Sequence, residues 1–186
     1  MVSEIGVDAD VLRHLEHEEA VETLRAAFIA GVTVVTWHVA DSLDDLEPLI
    51  VEAAKSDRGR LTLVAILDYL PAPDDLGPQV EAIAARLGGT VDIVAFPEAP
   101  TDAHVAAIEE ICARATVRFV AYSGDTQLSP AQTAAVDVII TTDAAQRLAD
   151  LGAITLAEGR EDGDCTAIPA RSADAIRAAI AVAALT

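Results

Sequence analysis

Short apolar runs rich in β-branched residues alternate along the chain with longer amphipathic runs rich in Ala, Leu and Glu. This alternation is typical of βα units, in which parallel strands are joined by helices. The run from 61 to 67 is continuously apolar, as expected for a strand buried on both faces. Six strands and a weaker seventh are predicted, at residues 32–39, 61–67, 91–96, 117–122, 136–141, 153–157 and 165–168.

The helical runs begin and end at recognisable signals. The first predicted helix extends from Val7 or Asp10 through Ile29, where Gly31 follows as a stop. A Ser-Pro pair at 129–130 predicts another helix start. The remaining helices are predicted at 41–54, 74–87, 101–113, 142–151 and 172–185. The last of them carries an apolar stripe with few charges, so it packs on the sheet or is buried in a homodimer.

Two architectures fit this pattern. No Pro-rich or Ser-rich linker divides the chain, so residues 1–186 are expected to form a single α/β domain with a mostly parallel sheet. A (β/α)₈ barrel usually needs about 200 to 250 residues, and here it would be short or lack one or two units. We predict a short or incomplete (β/α) barrel. A doubly wound three-layer α/β/α sandwich, which fits this length without strain, is the alternative.

Charge limits the classes of partner. The chain has 31 Asp and Glu against 12 Lys and Arg, a formal net charge of −19. A surface of that sign repels nucleic-acid phosphates and anionic lipid heads, so neither nucleic acid nor a membrane is an expected partner. Cys112 and Cys165 lie far apart without a CxxC pattern, and the N-terminus is acidic where a signal peptide would be basic. We therefore expect a cytoplasmic protein.

Several motifs with well-understood chemistry are missing from the sequence. It contains no GxxxxGK[ST] phosphate loop, no GxGxxG turn, no HExxH and no GxSxG. Lys55 is the only lysine, and its place in the last turn of a predicted helix suits a solvated cation. Because a Schiff base needs an amine in a desolvated pocket, imine chemistry is not expected. No organic cofactor is identified.

The carboxyl ends of the predicted strands carry polar and aromatic residues. Ligands bind at this end of the sheet in both candidate architectures. Four residues are the predicted catalytic groups: His38, Asp68, Glu98 and Asp125. Five more are predicted to contact a ligand: Trp37, Tyr69, Tyr122, Ser123 and Gly124. Carboxylates crowded at one edge cannot all ionise freely, so at least one should have a raised pKa.

These groups fit two kinds of chemistry. One imidazole and several carboxylates could share protons in general acid/base catalysis, or hold a divalent cation through oxygen ligands. We therefore predict an enzyme-like domain that handles a small polar metabolite by acid/base or metal-assisted chemistry. The alternative is a noncatalytic domain that binds a ligand or another protein. Side chains that converge in a pocket favour the enzyme, and cap-bonded, outward-pointing carboxylates favour the binding domain.

Two strand segments carry a resemblance to a known family. The segments at 61–69 and 91–96, with prolines and a helix between them, resemble two consecutive strands of type I 3-dehydroquinate dehydratases. The resemblance covers about half the chain and implies a barrel-like fold. That family forms a Schiff base with a lysine on the second strand and moves protons with a histidine on the first. The matching positions here are Ala95 (or Phe96) and Leu67, and the family's first two strands have no counterpart before Val7, so dehydratase activity is not expected.

Salt should stabilise a protein of this charge. Because the Debye length is about 30 Å at 0.01 M salt, the net charge of −19 should repel itself in dilute buffer and destabilise the fold. The melting temperature should therefore rise as NaCl is added. A melting temperature that stays flat or falls between dilute buffer and about molar salt would show that the charges are paired or spaced well enough not to matter.

Overall fold

Eight parallel strands form the centre of the structure. The computed structural model describes residues 5–39, 46–123, 128–129, 132, 136, 138–141, 154–158 and 165–169. In chain order, the strands are β1 (Ile5–Asp8), β2 (Val34–Val39), β3 (Thr62–Leu67), β4 (Val91–Phe96), β5 (Val117–Tyr122), β6 (Val138–Thr141), β7 (Ile154–Glu158) and β8 (Cys165–Pro169). Each strand pairs in parallel with the next, and β8 pairs with β1, so the sheet closes into a barrel.

An α-helix lies in each of the first four connections between strands. These helices are α1 (His17–Ile29), α2 (Glu47–Ala54), α3 (Pro73–Arg86) and α4 (Asp102–Ala113). α1 and α3 are followed by the predicted stop glycines, which have positive φ angles at Gly31 (100°), Gly88 (87°) and Gly89 (135°). None of the described helices is long and apolar enough to cross a membrane.

The predicted helix start at Ser129 has a matching pattern of hydrogen bonds. The Ser129 hydroxyl accepts the backbone N–H of Gln132 (3.3 Å), and the Gln132 side-chain oxygen accepts the N–H of Ser129 (2.8 Å). This reciprocal pair is a capping box, which is typical of a helix N-terminus. The predicted helices at 142–151 and 172–185 lie outside the described residues, and so does the predicted dimer stripe.

The barrel prediction is confirmed, and the sandwich alternative is wrong. In a doubly wound sheet the two outer strands have free edges, whereas here β1 pairs with both β2 and β8. The barrel is short but complete, because the weak seventh strand of the sequence pattern is β8 and an additional strand precedes α1. Eight strands fit into 186 residues because they are short, from four to six residues each.

The predicted first helix begins too early. Residues Ile5–Asp8 form β1 and Asp10–His14 form a 3₁₀ turn, so the helix itself starts at His17. β1 has only four residues and one of them is glycine, which leaves little local indication of a strand. The strand is held by pairing with β2 and β8, and both are distant from it in sequence.

Gly6 allows β1 to approach β2 closely. A Cβ atom at this position would lie 3.2 Å from both Cβ and Cγ1 of Val34. Val34 belongs to the cluster inside the barrel, so Gly6 faces the barrel interior as well. By the alternation of side chains along a strand, Asp8 follows on the same inner face, and Val7 points outward into the helix layer.

Side chains pack on both faces of the barrel wall. The small inner cluster contains Val34, Val64, Ile66, Ile93, Ala95 and Ala121. A much larger outer cluster joins the strands to the helices, with Leu24 and Phe28 of α1 and Ile83 of α3 among its buried members. The inner positions are therefore filled along most of β2 to β5, so this part of the barrel interior is a packed core.

Asp92 ties three strands together near their N-terminal ends. Its side chain is 6% exposed and lies in β4. One carboxylate oxygen accepts hydrogen bonds from Nη1 of Arg58 (2.8 Å) and from the backbone N–H of Leu63 (3.0 Å). The other oxygen accepts a hydrogen bond from Nη1 of Arg118 (3.2 Å). A buried carboxylate is tolerated because these donors offset its lost hydration. Asp92 thus links β4 to β3 and β5.

Removing this carboxylate should destabilise the barrel. Asp92→Ala leaves the Leu63 N–H without an acceptor and separates both arginines from their partner, so the free energy of unfolding should fall by about 2–4 kcal/mol. Glu81→Ala is the matched control, because Glu81 pairs with Arg114 at a half-exposed surface position. Urea unfolding measures both variants. An Asp92→Ala loss no larger than that of Glu81→Ala would contradict this role.

Candidate functional site

The carboxyl ends of β1 and β2 bring four polar side chains together, namely those of Asp8, Asp10, Arg13 and His38. Asp8 is the last residue of β1 and is paired with Thr36 of β2 in the sheet. The backbone N–H of Ala9 donates to the Thr36 carbonyl (2.8 Å), so the two chains remain together just beyond the end of β1.

A local hydrogen bond turns the chain out of β1. Oδ1 of Asp8 accepts the backbone N–H of Asp10 at 2.9 Å. An aspartate that bonds to the backbone two residues onward commonly starts a turn, and here the 3₁₀ turn Asp10–His14 follows directly. The turn places Asp10 beside the end of β2 and brings Arg13 to the same point.

Both oxygens of Asp10 are engaged. Oδ2 accepts the backbone N–H of His38 (3.0 Å) and lies 2.6 Å from the ring Nδ1 of the same residue. Oδ1 accepts Nε (3.2 Å) and Nη2 (3.1 Å) of Arg13. Nη2 of Arg13 also donates to the His38 carbonyl at 2.7 Å. These contacts fix the imidazole to the chain that follows β1.

The Asp10 carboxylate selects one form of the His38 ring. An ionised carboxylate only accepts hydrogen bonds, so the proton in the 2.6 Å contact belongs to Nδ1. When the ring is neutral, Nε2 is then the nitrogen that carries the basic lone pair. A carboxylate that orients a histidine in this way is a common arrangement for general acid/base catalysis.

The two aspartates have pKa values shifted in opposite directions. Burial raises the pKa of Asp8 and outweighs the hydrogen bond from the Asp10 N–H, which lowers it. The nearby charge of Asp10 makes a smaller upward contribution. For Asp10, burial is again the largest single influence and acts upward. The hydrogen bonds from His38 and Arg13 together outweigh it, so the pKa of Asp10 is lowered. The carboxyl with the expected raised pKa is therefore Asp8, which is not among the four predicted catalytic residues.

His38 lies at the mouth of the barrel. Its side chain faces the barrel interior, on the same side of β2 as Val34. At the same level of the sheet, the neighbouring strands β3, β4 and β5 carry the inner-cluster residues Ile66, Ala95 and Ala121. The His38 side chain is 47% exposed, so a molecule entering the mouth can reach the ring. Asp8 also faces the interior, from β1. Its sheet partner is Thr36, two residues before His38, so Asp8 lies deeper in the barrel than His38.

Asp68, Tyr69 and Glu98 follow the neighbouring strands β3 and β4, as predicted. All three are exposed, and Tyr69 is 47% exposed. One Glu98 carboxylate oxygen accepts the backbone N–H of Leu70 at 3.2 Å, so Glu98 contacts the loop that carries Asp68 and Tyr69. The register pair Val39↔Leu67 places this loop next to the end of β2. Their direct approach to His38 stays a prediction.

Other predicted ligand contacts have different positions. Trp37 is fully buried on the outer face of β2, where its indole N–H reaches Glu47 at 3.4 Å. Tyr122 is 2% exposed and packs in the same outer cluster. Neither placement supports the predicted ligand contact, because side chains on adjacent strand positions point to opposite faces of the wall. Ser123 follows β5 at the mouth, and its N–H donates to the Phe96 carbonyl (2.9 Å). Gly124 and Asp125 lie outside the described residues.

Sequence reasoning missed Asp8, Asp10 and Arg13 because it assigned this stretch to a helix. One signal for a strand was available. The short segment Ile5–Asp8 is followed closely by the polar residues Asp10 and Arg13, and polar residues near a strand end also marked the other strands. Four residues are too few to establish a period of two. The need for another strand to complete a barrel was the stronger indication.

Metal ligation finds no support in the part of the chain that the structure describes. There, no three His, Cys, Asp or Glu side chains are placed so that they could share a metal ion. Asp10 is committed to Arg13 and His38, which leaves its oxygens poorly available to a cation. Of the two predicted kinds of chemistry, the geometry favours proton transfer.

Aldo-keto reductases and a glycerol dehydrogenase are among the solved structures with the same fold. The holo form of an aldo-keto reductase from Bacillus halodurans matches with a TM-score of 0.82 at 13% identity, over 100% of this chain and 88% of that one. The glycerol dehydrogenase from Gluconobacter oxydans has a TM-score of 0.70 at 16% identity, over 85% of this chain and 60% of its own. An aldo-keto reductase from Klebsiella pneumoniae in complex with NADPH has a TM-score of 0.65 at 18% identity, over 84% and 63%.

These similarities concern the fold. No protein-family model matches the sequence, and no curated protein matches it either. The barrel implied by the dehydratase resemblance is confirmed. The resemblance to the dehydratase family itself is not shown, because the similar solved structures named here are reductases and a dehydrogenase. Because one barrel fold supports many reactions, function must be argued from the residues at the mouth.

Asp8 should have a pH-dependent effect on stability. Its raised pKa means that the folded protein holds this proton more tightly than the unfolded chain. The resulting stabilisation is present at low pH and is lost as pH rises through the folded-state pKa. Asp8→Asn should therefore raise the free energy of unfolding near about pH 7, and the gain should shrink toward about pH 4. Urea unfolding at the two pH values measures this change.

Asp10 should have the opposite effect. Its lowered pKa gives stability that is present above the unfolded-state value of about 3.9 and is lost only as pH falls through the folded-state pKa. Asp10→Asn should cost about 1–3 kcal/mol near neutral pH, because charge-assisted hydrogen bonds are weakened. The cost should persist down to about pH 5 and shrink progressively at lower pH, as the carboxylate takes up its proton. Two variants that shift stability in the same direction at neutral pH would refute the assignment.

Proposed function

We propose that this protein is a barrel enzyme that binds a small polar metabolite at the carboxyl ends of its strands and transfers protons with His38. The observation that carries the proposal is the Asp10–His38 pair, in which the carboxylate is itself anchored by Arg13. Active sites of (β/α)₈ barrels lie at this end of the barrel. Two consecutive strands supply the pair, as catalytic groups in this fold commonly come from several strand ends.

His38 is the general acid/base in this proposal. Asp10 holds the Nδ1 proton, so Nε2 takes a proton from the substrate and can return it at another atom. The Asp10 charge stabilises the imidazolium that forms in between. Arg13 holds Asp10 in place, and its hydrogen bond adds to the larger effect of the His38 contacts that lower the pKa of Asp10. These roles involve His38 of β2 and two residues, Asp10 and Arg13, of the turn after β1.

Asp8 is the second proton-handling group. It lies below His38 on the inner face, and burial raises its pKa, so it is more easily protonated than an ordinary aspartate. Asp8 and His38 are different kinds of acid and base at the same end of the barrel. Such a pair suits a reaction in which the substrate loses a proton at one atom and gains one at another. Asp68, Glu98 and Tyr69, on the adjoining loops, are proposed to contact the substrate.

A nicotinamide dinucleotide does not fit the described part of the mouth. The Klebsiella pneumoniae reductase was solved with NADPH, so the question applies to this barrel as well. Of the described residues at the mouth, Arg13 carries the positive charge that a phosphate needs, and it is engaged by Asp10 and the His38 carbonyl. Barrels often bind phosphate with the loops after the seventh and eighth strands, which here lie outside the described residues. We route no step through this cofactor.

A noncatalytic ligand-binding domain remains the second candidate. The observation in its favour is that Asp10 and Glu98 both accept backbone N–H groups, as structural carboxylates do. Dehydratase chemistry has less support, because Lys55 follows α2 as an exposed residue and the matched strand positions are apolar. The proton-transferring enzyme and the noncatalytic binding domain would use the same site. They differ in whether the bound molecule is chemically converted.

Replacing His38 should greatly reduce turnover while the protein still folds. A library of small hydroxy, keto and amino metabolites can be screened by thermal shift, with NMR detection of conversion for each stabilising compound. For a converted compound, His38→Gln should lower kcat by about 10²- to 10⁴-fold with a much smaller change in KM. Asp10→Asn should act in the same direction, since the ring loses its orienting charge.

The control is His17→Gln. His17 is an exposed histidine at the start of α1 that pairs with Glu52 of α2, so its loss should leave kcat unchanged. Compounds that bind without conversion, and bind more weakly to His38→Gln, would support the noncatalytic candidate. Compounds that are converted equally well by wild type and His38→Gln would refute the proposal.

A further inference from the structure

The charged residues of the described chain are divided between the two ends of the barrel. Helices of this fold run opposite to the strands, so their N-termini lie at the mouth and their C-termini at the opposite end, the base. The first turns of α1, α3 and α4 carry Glu18, Glu19, Asp74, Asp75 and Asp102. The basic residues at the base, close to helix C-termini or strand starts, are Lys55, Arg58, Arg60, Arg86, Arg114 and Arg118. The mouth is therefore the acidic end.

This charge opposes what the fold alone would favour. The aligned helix N-termini give the mouth a positive partial charge, which suits phosphate and carboxylate ligands. Here the acidic first turns and the exposed carboxylates of Asp68 and Glu98 act against an anion. Arg13, the arginine described at the mouth, is engaged by Asp10. The residues outside the described ranges include more acidic than basic side chains, so they do not offset this charge.

Asp68 is the carboxylate best placed to meet a molecule bound beside His38. Val64 and Ile66 face the barrel interior, and Asp68, directly after β3, is the next position on that side by the alternation of side chains. Ile66 is paired in the sheet with His38, so this alternation puts Asp68 one level nearer the mouth on the neighbouring strand. Asp68 is exposed, and among the described residues it has no hydrogen-bond or ion-pair partner.

The ring of Tyr69 is an independent feature of the same loop. Few large apolar side chains of the described chain are exposed, and Tyr69 is one of them. The negative face of an aromatic ring attracts a cation such as an ammonium group. Glu98 accepts the N–H of Leu70 at 3.2 Å, which holds the backbone directly after Tyr69. The loop therefore presents a carboxylate and an aromatic ring side by side at the mouth, and both groups favour a cation.

We propose that the substrate of this site carries an ammonium group, which Asp68 and the Tyr69 ring bind at the mouth while His38 transfers the proton. The step at His38 rests on the proposed function, but the preference for a cation does not. Each positive charge has its own carboxylate in this arrangement, because the imidazolium that forms on His38 is paired with Asp10 and the ammonium group with Asp68. The same charges disfavour phosphorylated and other anionic metabolites.

Three small compounds test this charge preference in the wild-type protein. Isopropanolamine, propylene glycol and lactate share a three-carbon hydroxy skeleton and differ in an end group that is an ammonium, a hydroxyl or a carboxylate. Each is titrated at about pH 7 and constant ionic strength, and the backbone amides of Tyr69 and Leu70 are followed by NMR. Isopropanolamine should shift these amides at the lowest concentration and lactate at the highest. A response to isopropanolamine no stronger than to the other two would overturn the proposal.

Variants locate the binding of the cation. Asp68→Asn should weaken isopropanolamine binding by about 2- to 5-fold, as expected for a partly exposed ion pair. Glu109→Gln is the matched control, because it removes the same charge from an exposed position in the middle of α4 and should leave binding unchanged. Tyr69→Leu should weaken binding by a similar factor, whereas Tyr69→Phe keeps the ring and should retain it. Equal effects of Asp68→Asn and Glu109→Gln would overturn the proposal, since the cation would then follow the overall charge alone.

Conversion of a compound separates this inference from the proposed function. If His38→Gln abolishes the conversion of a compound that carries no positive charge, the proposed function stands and the ammonium substrate is wrong. If ammonium compounds bind through Asp68 and none is converted, the charge preference stands and the proton-transfer function is wrong. The wild-type titrations remain a test even if one of the variants does not fold.

Discussion

Closure of eight short strands into one ring is the constraint on which the rest of the structure depends. β1 must pair with both β2 and β8, and it approaches β2 so closely that a Cβ at position 6 would lie only 3.2 Å from Val34. Closure sends alternate side chains inward, and the described inner cluster of β2 to β5 is apolar. The last inner position of β2 is His38, and that of β1 is Asp8, whose sheet partner Thr36 is buried between Val34 and His38. These two titratable side chains therefore lie toward the mouth.

The carboxylates of this acidic chain serve two different purposes. Asp92 is buried near the N-terminal end of β4 between two arginines, which stay charged at all ordinary pH values and make the contact permanent. Asp10 is anchored by one arginine but shares its other oxygen with an imidazole, which can gain and lose a proton. Aspartate thus links strands near one end of the barrel and orients the His38 ring at the other.

Local patterns were sufficient for the central part of the fold and for part of the site. The segments 91–96 and 117–122 have the predicted bounds, since long apolar runs between glycine, proline and capping residues leave little ambiguity. His38, Asp68 and Glu98 lie at the carboxyl edge of the sheet, as predicted, because residues at the end of a parallel strand or just past it share that edge. Trp37 and Tyr122 were included on the same basis, but alternation within their strands places them in the outer core.

The amino-acid sequence by itself determined the βα alternation, the position of His38 at a strand end and the surface place of the single lysine. It favoured a short barrel but left a sandwich open. Tertiary structure alone decided that Ile5–Asp8 is a strand, that the sheet closes, and that Asp10, rather than another carboxylate, pairs with His38. The physical reason is range, because periodicity reports on neighbours within a few residues, whereas β1 and His38 depend on hydrogen bonds to residues far away in the chain.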